Sequence, residues 1–168
     1  MTGRGVRVIA LFGVIGGMLR VVGSFAPTAI TSEAARLWLY IAIDVCLAAG
    51  LMGMYLARRQ QMSTAGRCAV VLALFGLGVA RIGPAVSHDD VYPIAAGAIS
   101  VAVIVLATSE WAARRLPAWI PWAFVTSFAC GALGLFLPRM HALFIASGML
   151  FGVTFSALAL FMLRSSAT

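Results

Sequence analysis

The chain has 168 residues, of which 62% are hydrophobic and 10% charged, with a mean hydropathy of +1.04. Soluble domains are about 45–50% apolar and about 25% charged, and a chain this short has too much surface to hide such an excess from water, so a soluble fold is excluded and a lipid-facing exterior is expected. The net charge of +7 comes from 12 arginines without a lysine, placed at the ends of apolar runs and not in a basic stretch with interleaved polar residues, which argues against nucleic acid as a partner.

At about 20 residues per crossing, the sequence predicts six apolar spans: Val8–Phe25, Leu37–Ala57, Cys68–Gly83, Val91–Trp111, Trp119–Leu137 and Ala142–Leu163. The expected fold is all-α, a polytopic bundle of six transmembrane helices forming one domain over residues 1–168. Arg4 and Arg7 precede the first span, and Ser24-Phe25-Ala26 imitates a signal-peptide cleavage site. Arg20 inside the apolar run and Pro27 just after it argue for a span that is kept. Ser32 and Glu33 have the chemistry to cap the second span, which carries Asp44. The third span is the shortest and contains Arg81. Ser87, Asp89 and Asp90 are placed to cap the fourth, with Pro93 in its first turn, where a missing N–H costs little. Glu110 at the end of that span is expected to pair with Arg114 one turn on. Pro121 kinks or begins the fifth span. Pro27, Pro84 and Pro138 each follow an odd-numbered span and are expected to stop it.

Arginine counting sets the orientation. Arg4, Arg7, Arg58, Arg59, Arg67, Arg114, Arg115 and Arg164 share one face, whereas the other has Arg36 and Arg139 with the acids Glu33, Asp89 and Asp90. The basic face is cytoplasmic by the positive-inside rule, so both termini are expected inside a bacterial inner membrane. The spans read as three helical hairpins with a period of about 50–60 residues, their return helices sharing Tyr40-Ile41-Ala42-Ile43-Asp44, Pro93-Ile94-Ala95-Ala96-Gly97 and Phe144-Ile145-Ala146-Ser147-Gly148. Either duplication or the narrow alphabet of apolar helices accounts for that likeness. Gly13–Gly17 and Gly148–Gly152 are small-residue faces for close helix packing, and Cys130, Gly131 and Gly134 add to them in the fifth span. Trp38, Trp111, Trp119 and Trp122, with Tyr40, Tyr55 and Tyr92, form aromatic belts at span ends. Cys46, Cys68 and Cys130 are too scattered for a zinc or redox motif.

Three intramembrane charges are the candidate ligand-binding residues: Arg20, Asp44 and Arg81. At 1.5 Å per residue Arg20 lies about 12 Å below the outer edge of the hydrocarbon, and Asp44 about 10 Å below it. The matched depths on neighbouring spans predict an Arg20–Asp44 pair. A charge at mid-membrane costs about 2.5–3.5 kcal/mol, and a guanidinium–carboxylate fork reduces that cost, so the pair reads equally as a clamp or as part of a site. Arg81 comes to a similar level and leaves one positive charge over, to snorkel to the interface or to face an anion. His88 and Asp89, and Arg139 and His141 with Met140 between them, are outer-loop candidates. Their spacing matches no metal motif, so neither a metal nor another cofactor is predicted. Spans without histidine, and the want of a serine–histidine or carboxylate pair at one depth, leave no catalytic residue to name.

These features support a small inner-membrane carrier or binding protein first, with an outward-facing Arg/Asp pocket for an anionic or zwitterionic solute or lipid headgroup. The alternative is a non-catalytic accessory or assembly subunit of a larger membrane complex. A membrane enzyme acting on lipid comes third. The partners expected are the bilayer, an anionic small molecule or lipid, and either another membrane protein or a second copy of the chain.

Overall fold

The computed structural model describes residues 3–86, 91–137 and 140–164, all in helices or the short turns between them. The helices are α1 (Gly3–Gly23), the single turn α2 (Ala26–Ala29), α3 (Glu33–Arg58), α4 (Thr64–Val86), α5 (Tyr92–Ala112), α6 (Trp119–Phe136) and α7 (His141–Arg164). Five of them, α3 to α7, contain stretches long and apolar enough to cross a membrane, and α1 has a shorter described apolar stretch, Leu11–Gly23. The surface agrees with that character. Leu11, Ile15, Met18 and Val22 form an outward stripe on α1, and Val71 and Phe75 on α4 are 65% and 68% exposed. In water such continuous apolar faces would be an aggregation liability; in lipid they are the solvated surface.

The helices outrun the apolar runs that announce them. α3 begins at Glu33 and α4 at Thr64, because polar end residues stay helical once capped: Ser32 Oγ accepts from Ala35 N–H at 3.4 Å, and Ser63 Oγ accepts from Gly66 N–H at 3.1 Å. One local expectation is corrected. Pro84 does not stop α4, whose backbone continues helically to Val86. A proline withdraws only its own N–H and crowds one carbonyl, which the last turn of a long helix absorbs. The fourth long helix, α5, takes Val91 as its N-cap without a side-chain cap bond, and the expected cappers Ser87, Asp89 and Asp90 lie outside the described residues, as does Pro138. Pro93 does occupy the first turn of α5, and Pro121 lies buried in the first turn of α6.

Consecutive long helices pair extensively, α1 with α3, α4 with α5 and α6 with α7. α1 also packs closely on α7, so the first and third hairpins form one body. The glycine faces explain how. A Cβ at Gly152 would collide with the Gly17 carbonyl, and one at Gly50 would fall on the Gly13 backbone; without side chains these backbones approach closely. Ser156 Oγ donates to the Val14 carbonyl at 3.0 Å across the same α1–α7 contact. By comparison, α3 touches α4 and α5 touches α6 only sparsely, so the α4–α5 hairpin closes a ring of helices through two thin seams.

The core is lopsided. Leu51 and Met54 of α3, Val103 and Leu106 of α5, and Leu158 and Met162 of α7 are essentially sealed. All sit toward the end of the bundle where Arg58, Arg59, Arg67, Arg114 and Arg115 cluster. Phe124, Phe151 and Phe155 continue the packing toward the middle, with ring centroids 5.6 and 5.9 Å apart. Beyond them, toward the opposite end, Ile43 and Ala95 are still buried, but a cavity opens between the helices.

A candidate ligand cavity at the hollow end

A cavity of about 380 Å³ opens between the α4–α5 hairpin and the rest of the bundle. α5 contributes a recessed wall of small residues, Pro93, Ala96, Gly97 and Ser100, at helical spacing. α6 and α7 face it with Phe128, Leu135, Phe144 and Phe151, and Leu47 and Leu77 lie toward its floor. Arg20 and Asp44 are the charged residues of the lining.

The structure gathers the three predicted charges but pairs them differently. Arg81 Nε donates to Asp44 Oδ2 in an ion pair between α4 and α3, and the expected Arg20–Asp44 pair is not formed. Arg81 is held for this role by Tyr40, over whose ring its guanidinium carbon sits at 5.4 Å from the centroid. Tyr40 in turn donates its hydroxyl to the Gly23 carbonyl at 3.4 Å, tying α3 to the end of α1. A cation over an aromatic face is stabilised by the ring quadrupole, so Tyr40 is a positioning group and not merely part of an interfacial belt. The physical reason for the exchange is angular. Equal depth brings Arg20 and Arg81 to the level of Asp44, but which one meets it depends on where each projects around its helix.

The Arg20 guanidinium is left without a hydrogen bond or ion pair among the described residues. It feels Asp44 by longer-range Coulomb attraction. Its surroundings are tailored to admit it: Ser24 Oγ donates to the Arg20 carbonyl at 3.0 Å, and a Cβ at Gly148 would strike Ser24 and come within 3.9 Å of Arg20 Nε. Glycine at 148 therefore gives the last turn of α1 its place against α7. Two cavity serines are committed to backbone, Ser100 Oγ to the Ala96 carbonyl at 2.9 Å and Ser127 Oγ to the Ser147 carbonyl at 2.8 Å. The lining thus combines a carboxylate already paired with Arg81, a guanidinium without a partner and a mostly apolar wall.

The outer-loop candidates His88, Asp89 and Arg139, and the side chain of His141, lie outside the described residues. Cys46, Cys68 and Cys130 are free thiols.

A second charge cluster, at the basic end, departs from the sequence expectation. Glu110 does not pair with Arg114. It accepts from Arg58 Nη1 at 3.0 Å and from Arg115 Nη1 at 3.4 Å, and Arg115 also reaches the Gln61 carbonyl at 2.9 Å. Arg114 takes the left-handed conformation, φ 57°, that ends α5, and Arg115 N–H bonds back to the Glu110 carbonyl at 3.0 Å. That closing turn swings Arg114 off the helix face and returns Arg115 to the acid. The signal available beforehand was that Glu110 is the one acid amid the arginines of that end, which made a buried partner on another helix plausible.

No protein-family model matches this chain, and no curated protein or solved structure matches it.

Proposed function

We propose that the chain is a membrane carrier or binding protein that holds an anionic or zwitterionic ligand on Arg20. In this reading all six long helices cross the bilayer as three hairpins, both termini lie on the cytoplasmic side of a bacterial inner membrane, and the cavity faces outward. Positive-inside counting supports the orientation, since the solid, arginine-rich end is the one that faces the cytoplasm.

One observation carries the proposal: Arg20 stands unpaired in a mostly apolar cavity while its neighbour Asp44 is already neutralised by Arg81. An ionised group in such surroundings is costly unless something pairs with it. A ligand carboxylate or phosphate satisfies it in the bidentate geometry that guanidinium favours. A zwitterion fits the same site with its cation toward Asp44.

The test is binding of dodecyl phosphate to the purified protein held in amphipol, counted by native mass spectrometry. A charge-assisted hydrogen bond contributes about 1.5–3 kcal/mol, so Arg20→Gln is expected to weaken binding by about 10- to 100-fold with little change in thermal unfolding. Equal affinity in the two proteins would remove the proposal.

The accessory-subunit reading draws on the same geometry, because a self-neutralised Asp44–Arg81 pair is what a structural clamp provides. Gentle extraction separates the two: a stoichiometric co-purifying protein, together with indifference to Arg20→Gln, favours the subunit.

A further inference from the structure

We infer that the ligand is a single-chain amphiphile, with its anionic group on Arg20 and its hydrocarbon along the gap between α5 and α6. This inference rests on the binding role of Arg20 above and names the chemical class that the remainder of the cavity selects.

The wall decides the class. Ile99, Phe128, Leu135, Phe144 and Phe151 present hydrocarbon to the interior, while Ser100 and Ser127 direct their hydroxyl protons to backbone carbonyls. Apart from Arg20, Asp44, Tyr92 and three serines, two of which have spent their donors, the wall offers a small polar solute no hydrogen-bonding group, and polar groups left unanswered there are costly. A methylene chain has nothing to satisfy and contributes favourably for each group buried. The volume of about 380 Å³ falls within the range of small-molecule sites, roughly 300–1,000 Å³.

The shape agrees. A Cβ added at Gly97 meets nothing within 4 Å, so the α5 wall is open in its second turn, and Gly131 and Ala132 of α6 line the same cavity. α5 and α6 touch only sparsely, which gives a lipid-like chain a lateral path from the bilayer without passing its hydrocarbon through water. Arg20 stands across the cavity, on α1. Headgroup site and chain site are therefore on different helices, and each is open to separate test.

Gly97→Leu is the discriminating variant. It fills the gap with hydrocarbon, leaves Arg20 alone, and replaces a helix-interior glycine with a better helix former. The probes are butyl, octyl and dodecyl phosphate, bound to the amphipol-held protein, with affinities referred to free aqueous probe. In the wild type, affinity is expected to rise by about fourfold per buried methylene until the cavity is full. Gly97→Leu is expected to flatten that series while preserving butyl phosphate binding. Ala132→Leu, on the facing wall, repeats the measurement should Gly97→Leu fold poorly, and Gly78→Leu on α4, where a Cβ also meets nothing and the cavity is not lined, should leave the series steep. A flat wild-type series with Arg20→Gln still harmful overturns the amphiphile and keeps the anion site. A steep series that both cavity-filling variants leave unchanged overturns the chain's placement. A series flattened by Gly97→Leu but indifferent to Arg20→Gln overturns the anionic headgroup, and with it the reading on which this inference stands.

Discussion

Arg58 of α3 and Glu110 of α5 form an ion pair at 3.0 Å with side chains only 2% and 1% exposed. It lies at the arginine-rich end, as Asp44–Arg81 lies at the cavity end, and the two pairs tie α3 to α5 and to α4, the two helices of the loosely packed hairpin. Where apolar packing is sparse, charge pairing holds the hairpin at both ends. The Arg58–Glu110 pair is under the greater constraint, since Arg58 Nε is buried without a hydrogen-bond partner.

Removing one member of that pair leaves a charge with no exit to water. Glu110→Ala is expected to destabilise the fold by about 3–5 kcal/mol, whereas replacing both members, Arg58→Met with Glu110→Leu, restores most of that loss. Unfolding in mixed micelles by denaturing detergent measures both. Equal destabilisation by the single and double variants would show that the pair is not the source of the cost. Arg115→Gln is expected to have a smaller effect, because its side chain is 28% exposed and water competes for it.

Asp44 has a different role from Glu110. Its side chain is 18% exposed and that of Arg81 27%, and an asparagine amide oxygen still accepts from Arg81, so Asp44→Asn is expected to destabilise less than Glu110→Ala. Its larger effect is on binding. With Asp44 neutral, neither Arg20 in the cavity nor Arg81 beside Asp44 has a compensating acid there among the described residues, and dodecyl phosphate is expected to bind more tightly than in the wild type. Native mass spectrometry of the two proteins at equal probe concentration reads the difference. Weaker binding by Asp44→Asn would mean that Asp44 itself holds part of the ligand.

The glycines divide by what surrounds them. At Gly152 a Cβ would meet the Gly17 carbonyl and, at 2.9 Å, Val21 Cγ2; the carbonyl belongs to helix backbone and cannot rotate away. Gly152→Ala is therefore expected to part α1 from α7 and to cost about 1–3 kcal/mol, as overpacking does. At Gly78 a Cβ meets nothing, and Gly78→Ala is expected to stabilise by about 0.5–1 kcal/mol through helix propensity. The same unfolding titration compares the two, and similar effects would contradict the close approach of α1 and α7.

Much of this molecule follows from the chain read as a line. Hydropathy marks the apolar helices because the cost of exposing or burying a residue is local. Ser32 caps α3 and Pro93 opens α5 through contacts within one turn of helix, and Gly17 and Gly152 announce close packing simply by having no side chain. The meeting of Asp44 with an arginine at one level was also readable, since rise per residue converts position into depth.

Tertiary structure alone decided which arginine. Depth is one coordinate, and pairing needs the azimuth of each helix and the identity of its neighbour, neither of which periodicity supplies. For the same reason Glu110 found Arg58 on α3 and Arg115 beyond a left-handed turn, and not the Arg114 that straight helical spacing suggests. The hollow between α5 and α6 belongs to the same class of fact. A void is what facing surfaces leave when they fail to fill the space between them, and no single helix contains it.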